Sequence, residues 1–134
     1  MRVIVCLDDR NGMLFNHRRQ SRDREVLKDI LKAAEGNRVW IRPFSQKLFQ
    51  GAENQVRVSE SPLEAAGPGE ACFVEELPLA GWEGAIESLT VYRWNRHYPG
   101  DFFLDLDLSG WRLVSRREFP GSSHEKITKE VYEP

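Results

Sequence analysis

Cysteine, methionine and histidine are scarce in this chain, at two, two and three among 134 residues. The two cysteines, Cys6 and Cys72, each lie inside an apolar run. That placement excludes a disulfide framework and predicts buried, reduced thiols. A nucleophilic cysteine needs a neighbouring base, and Cys72 is followed by Phe73-Val74-Glu75-Glu76. The histidines, His17, His97 and His124, are too dispersed to show metal-ligand spacing. Glycine-rich phosphate loops, G-x-S-x-G and H-x-H patterns are absent, so neither a metal nor a cofactor is expected. No apolar run approaches the roughly 18 residues of a spanning helix. The opening apolar run to Leu7 is too short for a signal peptide core and meets Asp8-Asp9 at once, which predicts a cytoplasmic protein with no membrane partner. Charge of one sign is also lacking. With 19 basic and 21 acidic side chains the net charge is −2, which excludes nucleic-acid binding through bulk charge.

What is present suits one globular domain over residues 1–134. A chain of this length buries roughly two-thirds of its unfolded surface without a disulfide or metal staple. Seven Phe, four Trp and three Tyr exclude wholesale disorder. Arg2 to Leu7 is an apolar run suited to a strand buried on both faces. Asp8 to Gln20 is irregular, with a turn at Asn11-Gly12. Ser21 is placed to cap a helix running through Ala34, with Val26, Leu27, Ile30, Leu31 and Ala34 on one stripe and Gly36 as the stop.

Further strands are expected at Arg38–Ile41, Gln55–Val58, Ala71–Glu75 and Leu89–Trp94. Short helices are expected from Pro43 to Phe49, after the Ser61-Pro62 cap, and around Leu79 to Ala85. The last third is strand-like throughout, at Phe102–Leu104, Trp111–Phe119 and Glu125–Tyr132, with Gly121-Ser122-Ser123 as a turn. Strands alternating with helices and then running strand after strand predict an α/β three-layer sandwich. Its mixed, mostly parallel sheet would finish in a C-terminal antiparallel hairpin.

Charge is segregated along the chain although the total is nearly balanced. From Arg10 to Arg42 nine basic residues face four acidic ones, and from Glu53 to Glu87 eight acidic residues face Arg57 alone. The densest basic stretch is Phe15-Asn16-His17-Arg18-Arg19-Gln20-Ser21-Arg22-Asp23-Arg24. It leaves a buried strand and ends at a helix N-terminus, where open α/β sheets bind ligands and free N–H groups meet anions. Arg18, Arg19 and Arg22 can contact phosphate or carboxylate in a bidentate manner. Phe15, Asn16, Gln20 and Ser21 would complete a ligand site, with His17 and Asp23 as candidate acid–base groups. The competing structural reading is a solvated loop whose arginines pair with nearby carboxylates. Asp101, Asp105 and Asp107 alternate with apolar residues, and an amphipathic strand edge explains them better than a cation site.

The order of segments resembles dihydrofolate reductase over most of the chain. Val3 to Leu7, Asn11-Gly12, Phe15-Asn16 and Asp23 stand where that family has its first strand, its loop, its Trp-Asn pair and its active-site carboxylate. Leu89 to Trp94, Asp101-Phe102-Phe103 and the two closing strands resemble its C-terminal part. The resemblance implies the same fold, and with it pteridine reduction by NADPH. The departures fall on the chemistry. Gln20 occupies the family's carboxylate spacing, and Asp23 comes three residues later. Arg42-Pro43-Phe44-Ser45 replaces the phosphate-binding Gly-Arg-x-Thr. Glu75-Glu76 replaces the paired glycines, so two carboxylates would repel a pyrophosphate and two Cβ atoms would block its approach. The chain is also short between Phe49 and Gln55, where the family builds its adenosine site. A further resemblance, to small bacterial proteins labelled ribonuclease Z, implies a two-zinc hydrolase, which three scattered histidines cannot build.

The leading expectation is therefore a non-reductase on this scaffold that binds an anionic small molecule or nucleotide through the basic segment. The alternatives are an NADPH-dependent pteridine-type reductase with an altered cofactor mode, Asp23 donating the proton, and an RNA-binding or RNA-processing factor stacking bases on Phe15 or Trp40.

Overall fold

The computed structural model describes residues 1–34 and 36–134. Ten strands and two α-helices appear in the order β1 (Arg2–Leu7), β2 (Gly12–Phe15), β3 (Arg18–Arg19), α1 (Arg24–Ala33), β4 (Val39–Ile41), β5 (Val56–Val58), α2 (Pro62–Ala65), β6 (Ala71–Phe73), β7 (Ser88–Arg93), β8 (Phe102–Phe103), β9 (Arg112–Phe119) and β10 (Ile127–Glu133). The main sheet has seven strands in the order β5-β4-β6-β1-β7-β10-β9. β5, β4, β6, β1 and β7 run parallel, and β10 and β9 close the sheet as an antiparallel pair. This is the mixed, mostly parallel sheet with a C-terminal hairpin that the segment order predicts.

β1 lies in the middle because it is apolar on both faces. Val3, Val5 and Leu7 point into one core cluster with Leu89, Val91 and Leu79, while Ile4 points into the other with Val26, Ile30 and Tyr92. α1 covers the second face by its Val26–Ile30 stripe, helped by Leu48 and Phe49 of a 3-10 helix at Pro43–Phe49. The opposite layer is mostly irregular chain: α2 contributes Leu63, and single residues such as Leu79, Ile86 and Leu106 fill the rest. Helices therefore form a continuous layer on neither side, and the sandwich is thinner in helix than its periodicity predicts.

Three expectations need correction. The helix starts at Arg24 and not after Ser21, because Asp23 is the cap that accepts the Glu25 N–H at 2.9 Å. Its C-cap is Ala34; Gly36 follows with φ of +83°, and residue 35 between them lies outside the described residues. The stretch from Asp8 to Gln20 is not irregular. It contains β2 and β3, paired antiparallel through Leu14–Arg19 and Phe15–Arg18, with Asn16 and His17 both in the left-handed region that a two-residue hairpin turn requires. Finally, Phe102–Phe103 pairs with β2 in a separate three-stranded sheet, order β3-β2-β8, and does not join the main one.

Ile30 is fully buried between α1 and the sheet. Ile30→Ala is expected to cost about 3 kcal/mol, measured by urea denaturation, whereas Lys28→Ala on the exposed face should cost less than about 0.5 kcal/mol.

Candidate functional site

The basic segment lies at the carboxyl edge of the parallel strands, where β1 exits through Asp8, β6 through Val74-Glu75 and β7 through Trp94. Three carboxylates organise this edge. Asp8 is fully buried and accepts from the N–H groups of Gly12 (2.7 Å), Arg10 (2.9 Å) and Tyr98 (3.2 Å) and from Gln20 Nε2 (3.2 Å). Burial pushes its carboxyl up, but those donors outweigh burial and hold it below the usual range. A Cβ on Gly12 would lie 2.6 Å from Gln20 Nε2 and 2.8 Å from Asp8 Oδ1, so a larger residue there would displace both side chains from their bonds.

Asp23 is the second. Beyond Glu25 N–H it accepts from Ser122 N–H (3.0 Å) and Oγ (3.2 Å), from Ser123 N–H (2.8 Å), and from His124 Nδ1 (3.0 Å). Burial again works to raise its pKa, and the Ser122, His124, Ser123 and Glu25 donors overcome it and hold the carboxyl far below its ordinary value. The loop reaches this position because residue 121 is glycine: a Cβ there would overlap Asp23 Oδ2 and lie 2.8 Å from the His124 carbonyl oxygen. Gly121-Ser122-Ser123 is thus a cradle for a carboxylate as well as a turn.

Glu75 is the third, 8% exposed. Arg19 grips both of its oxygens at 2.7 Å, Ser45 Oγ donates at 2.7 Å, and the guanidinium also lies over the Phe44 ring. Side-chain alternation explains the choice: Arg19 sits opposite Leu14 and turns inward, while Arg18 sits opposite Phe15 and turns out. The arginine expected to meet a ligand therefore holds a carboxylate of its own chain. Its neighbour Glu76 is likewise paired, with Arg42 at 3.2 Å.

Two spaces remain. A cleft between α1 and the sheet, lined by Cys6, Arg19, Ser21, Arg22, Asp23 and Trp94 among others, has only about 20 Å³ free, room for one water. Burial pushes the Cys6 thiol in its wall well up. A shallower groove of about 280 Å³ is lined by Phe15, Asn16, Arg18, Arg19, Gln20, Tyr98 and Pro99. The structure thus brings five of the expected ligand residues together in the groove and places Ser21, Arg22 and Asp23 in the cleft. His17 sits exposed at the hairpin tip and lines neither space. Arg18 and Arg22 are exposed and make no ion pair among the described residues. Gln20 Oε1 is buried without a donor, while its amide nitrogen serves Asp8 and the Pro99 carbonyl.

Tyr98, His124 and Ser45 are the residues that local reading of the sequence does not select, and for Glu75 it gives the carboxylate but not its partner Arg19. The acidic alternation is not the strand edge expected of it, because only Phe102–Phe103 is strand there and Asp105 and Asp107 lie in irregular chain and accept backbone amides. Asp101 accepts the Asn16 N–H, Asp105 those of Leu79 and Ala80, and Asp107 that of Ser109. Among the described residues no three His, Cys, Asp or Glu side chains gather as ligands for a metal. Trp40 is covered by Arg57 and gives its indole N–H to Glu70, so it is not a free stacking surface.

With this geometry in view, the fold can be placed. The main sheet and its α1 cover form a dihydrofolate reductase-like fold. The dihydrofolate reductase of Enterococcus faecalis, in a structure complexed with NADP(H) and RAB-propyl, superposes with a TM-score of 0.66 at 14% identity, covering 98% of this chain and 94% of that one. No family profile and no curated protein sequence matches the chain. The ribonuclease Z resemblance finds no support in any of these comparisons.

Two outcomes are expected from this edge. Glu75→Ala leaves Arg19 half-buried without its partner and should cost about 3 kcal/mol, with part of the melting temperature restored by added acetate. Asp23 has a depressed pKa, so its stabilising effect is full above the ordinary aspartate value of 3.8 and is lost as pH falls below it. Asp23→Asn should therefore flatten the acid limb of a stability–pH curve below about pH 4 while leaving its shape near neutrality unchanged.

Proposed function

We propose that this chain is a non-reductase on the dihydrofolate reductase-like scaffold, and that it binds an anionic, ring-bearing small molecule of the nucleotide class in the groove of Phe15, Arg18, Gln20 and Tyr98. The observation that carries the reading is the division of labour between the two adjacent arginines. Arg19 is consumed by Glu75, whereas Arg18 is exposed, unpaired among the described residues, and opens onto a groove of about 280 Å³. Phe15, 48% exposed beside it, offers a face for a ring.

The same edge argues against hydride chemistry. Asp23 is occupied by five donated hydrogen bonds and held ionised, which makes it a poor proton donor at neutral pH. The cleft beside it has too little room for a fused ring system. Glu75 adds a carboxylate at the exit of β6, opposing a pyrophosphate.

Adenosine 5′-monophosphate is the probe that tests this. Titration calorimetry is expected to show saturable binding that Arg18→Ala weakens about tenfold with no change in melting temperature. Millimolar NADPH should add no more stability than the monophosphate does. A large NADPH-specific thermal shift, on the order of 2.7 kcal/mol at a hundredfold excess over its Kd, would instead restore the reductase reading.

A further inference from the structure

Around the groove, the carboxyl edge carries more guanidinium than one ligand phosphate engages. Arg10, Arg18, Arg22, Arg24 and Arg96 are all exposed, and none makes an ion pair among the described residues. Elsewhere Arg42, Arg93, Arg112, Arg116 and Arg117 each hold a carboxylate. Three of the unpaired ones gather about Tyr98. Arg10 Nη2 donates to the Tyr98 carbonyl oxygen at 3.4 Å, and the Asp9 N–H donates to the Arg96 carbonyl oxygen at 2.9 Å. Arg18 and Tyr98 line the same groove. Arg22 and Arg24 flank Asp23 at the start of α1, where the Arg24 N–H meets Ser122 Oγ at 2.9 Å. Exposed carboxylates are fewer along this stretch: Asp9, Asp101 and Glu125, of which Asp101 is bonded to the Asn16 N–H.

Aromatic rings are interleaved with these charges. Phe15 and Phe103, 48% and 40% exposed, both belong to the small β3-β2-β8 sheet. The Phe103 ring lies 3.6 Å from the position of a Cβ on Gly100, the residue after Pro99 in the groove wall. The loop from Trp94 to Pro99 serves two spaces. Tyr98 and Pro99 line the first groove, while Trp94, Asn95 and Arg96 line a second of about 520 Å³ together with Lys126 and Glu125.

We propose that the nucleotide in the groove is one unit of a single-stranded polynucleotide, with bases stacked on Phe15 and Phe103 and phosphates running past Arg18, Arg10 and Arg96 toward the second groove. The inference rests on the groove reading above and gives it a substrate class. A monophosphate engages Arg18 and leaves the other guanidinia repelling one another. A chain of phosphates compensates several at once and releases the counterions condensed on it. Unpaired bases offer flat faces to exposed rings, and arginine interleaved with aromatics is the surface that grips single strands. A duplex keeps those faces inside its own stack. The net charge of −2 does not oppose this, because screening confines the attraction to groups within about 10 Å.

Fluorescence anisotropy on the full folded chain tests the proposal, with labelled oligoadenylates of about twelve nucleotides in ribo and deoxy form. Both are expected to bind at least about tenfold more tightly than adenosine 5′-monophosphate, with a slope of log affinity on log salt of about −3. A preference between them identifies the sugar, and the matching duplex should bind more weakly. Arg10→Ala and Arg96→Ala lie outside the first groove. Each should weaken the oligonucleotides about fivefold and flatten the slope by about 0.7, with melting temperature and monophosphate affinity unchanged. Phe103→Ala should weaken them about tenfold and leave inorganic polyphosphate, which has no bases, unaffected. Three results would overturn the polymer while saturable, Arg18-dependent monophosphate binding keeps the groove reading in place. They are oligonucleotides held no tighter than the monophosphate or than polyphosphate, oligonucleotide affinity indifferent to both arginine variants, and sedimentation with phosphatidylserine vesicles in place of oligonucleotide binding. Absence of monophosphate binding by the parent chain would instead overturn the groove reading, and this inference with it.

Discussion

The interaction on which this architecture depends is the burial of the Asp23 carboxylate. A charged group removed from water costs several kcal/mol unless donors replace its hydration, and here every donor except the helix amide comes from residues 122–124, about one hundred positions away. That one charge caps α1, pins the turn between β9 and β10 to the helix, and fixes His124 against Trp94. The hydrophobic faces of β1 and α1 supply the bulk of the stabilisation, yet they leave the relative placement of helix start and hairpin turn undetermined. The carboxylate sets it.

The carboxyl edge of the sheet repeats the theme. Asp8 gathers the start of β2 and the strand exits, and Glu75 gathers Arg19 and Ser45. In a scaffold whose ligands are expected at this edge, Glu75 behaves as an anion supplied by the chain itself, satisfying a bidentate guanidinium and a hydroxyl that a foreign anion would otherwise engage. The geometry therefore separates an inner, self-satisfied layer from an outer rim where Arg18 and Phe15 retain unused capacity. The scaffold's likeness to a reductase is a statement about the sheet, and the residues at its mouth have to be interpreted on their own chemistry.

Much of the sheet was legible from the chain because its signals are local. β1 is a run of branched apolar residues, Pro43 and Pro62 mark helix starts, and the closing strands are rich in β-formers. The helix start was not legible in the same way. Ser21 and Asp23 are both good cap residues, and only donors from the far end of the chain favour the second. The β2–β3 hairpin was hidden because its turn is Asn16-His17, without the glycine that usually marks it. The candidate ligand residues were found by charge density, which cannot distinguish Arg18 from Arg19; strand alternation and a glutamate 56 positions away do. Tyr98 and His124 gave no local sign at all, since each acts only through partners remote in sequence.

Synthesis of the chain meets the order of the sheet in an awkward sequence. β1 emerges first yet sits in the middle, awaiting β6 and β7, and the acceptor at residue 23 stays in water until the segment around residue 122 has left the ribosome. The five parallel strands lie within residues 2–93 and can pair before that point, whereas β10 cannot yet cover the edge of β7. A ribosome stalled upstream of Gly121 would therefore hold a sheet whose β7 edge is open and whose helix cap lacks its loop donors, a surface available to chaperones.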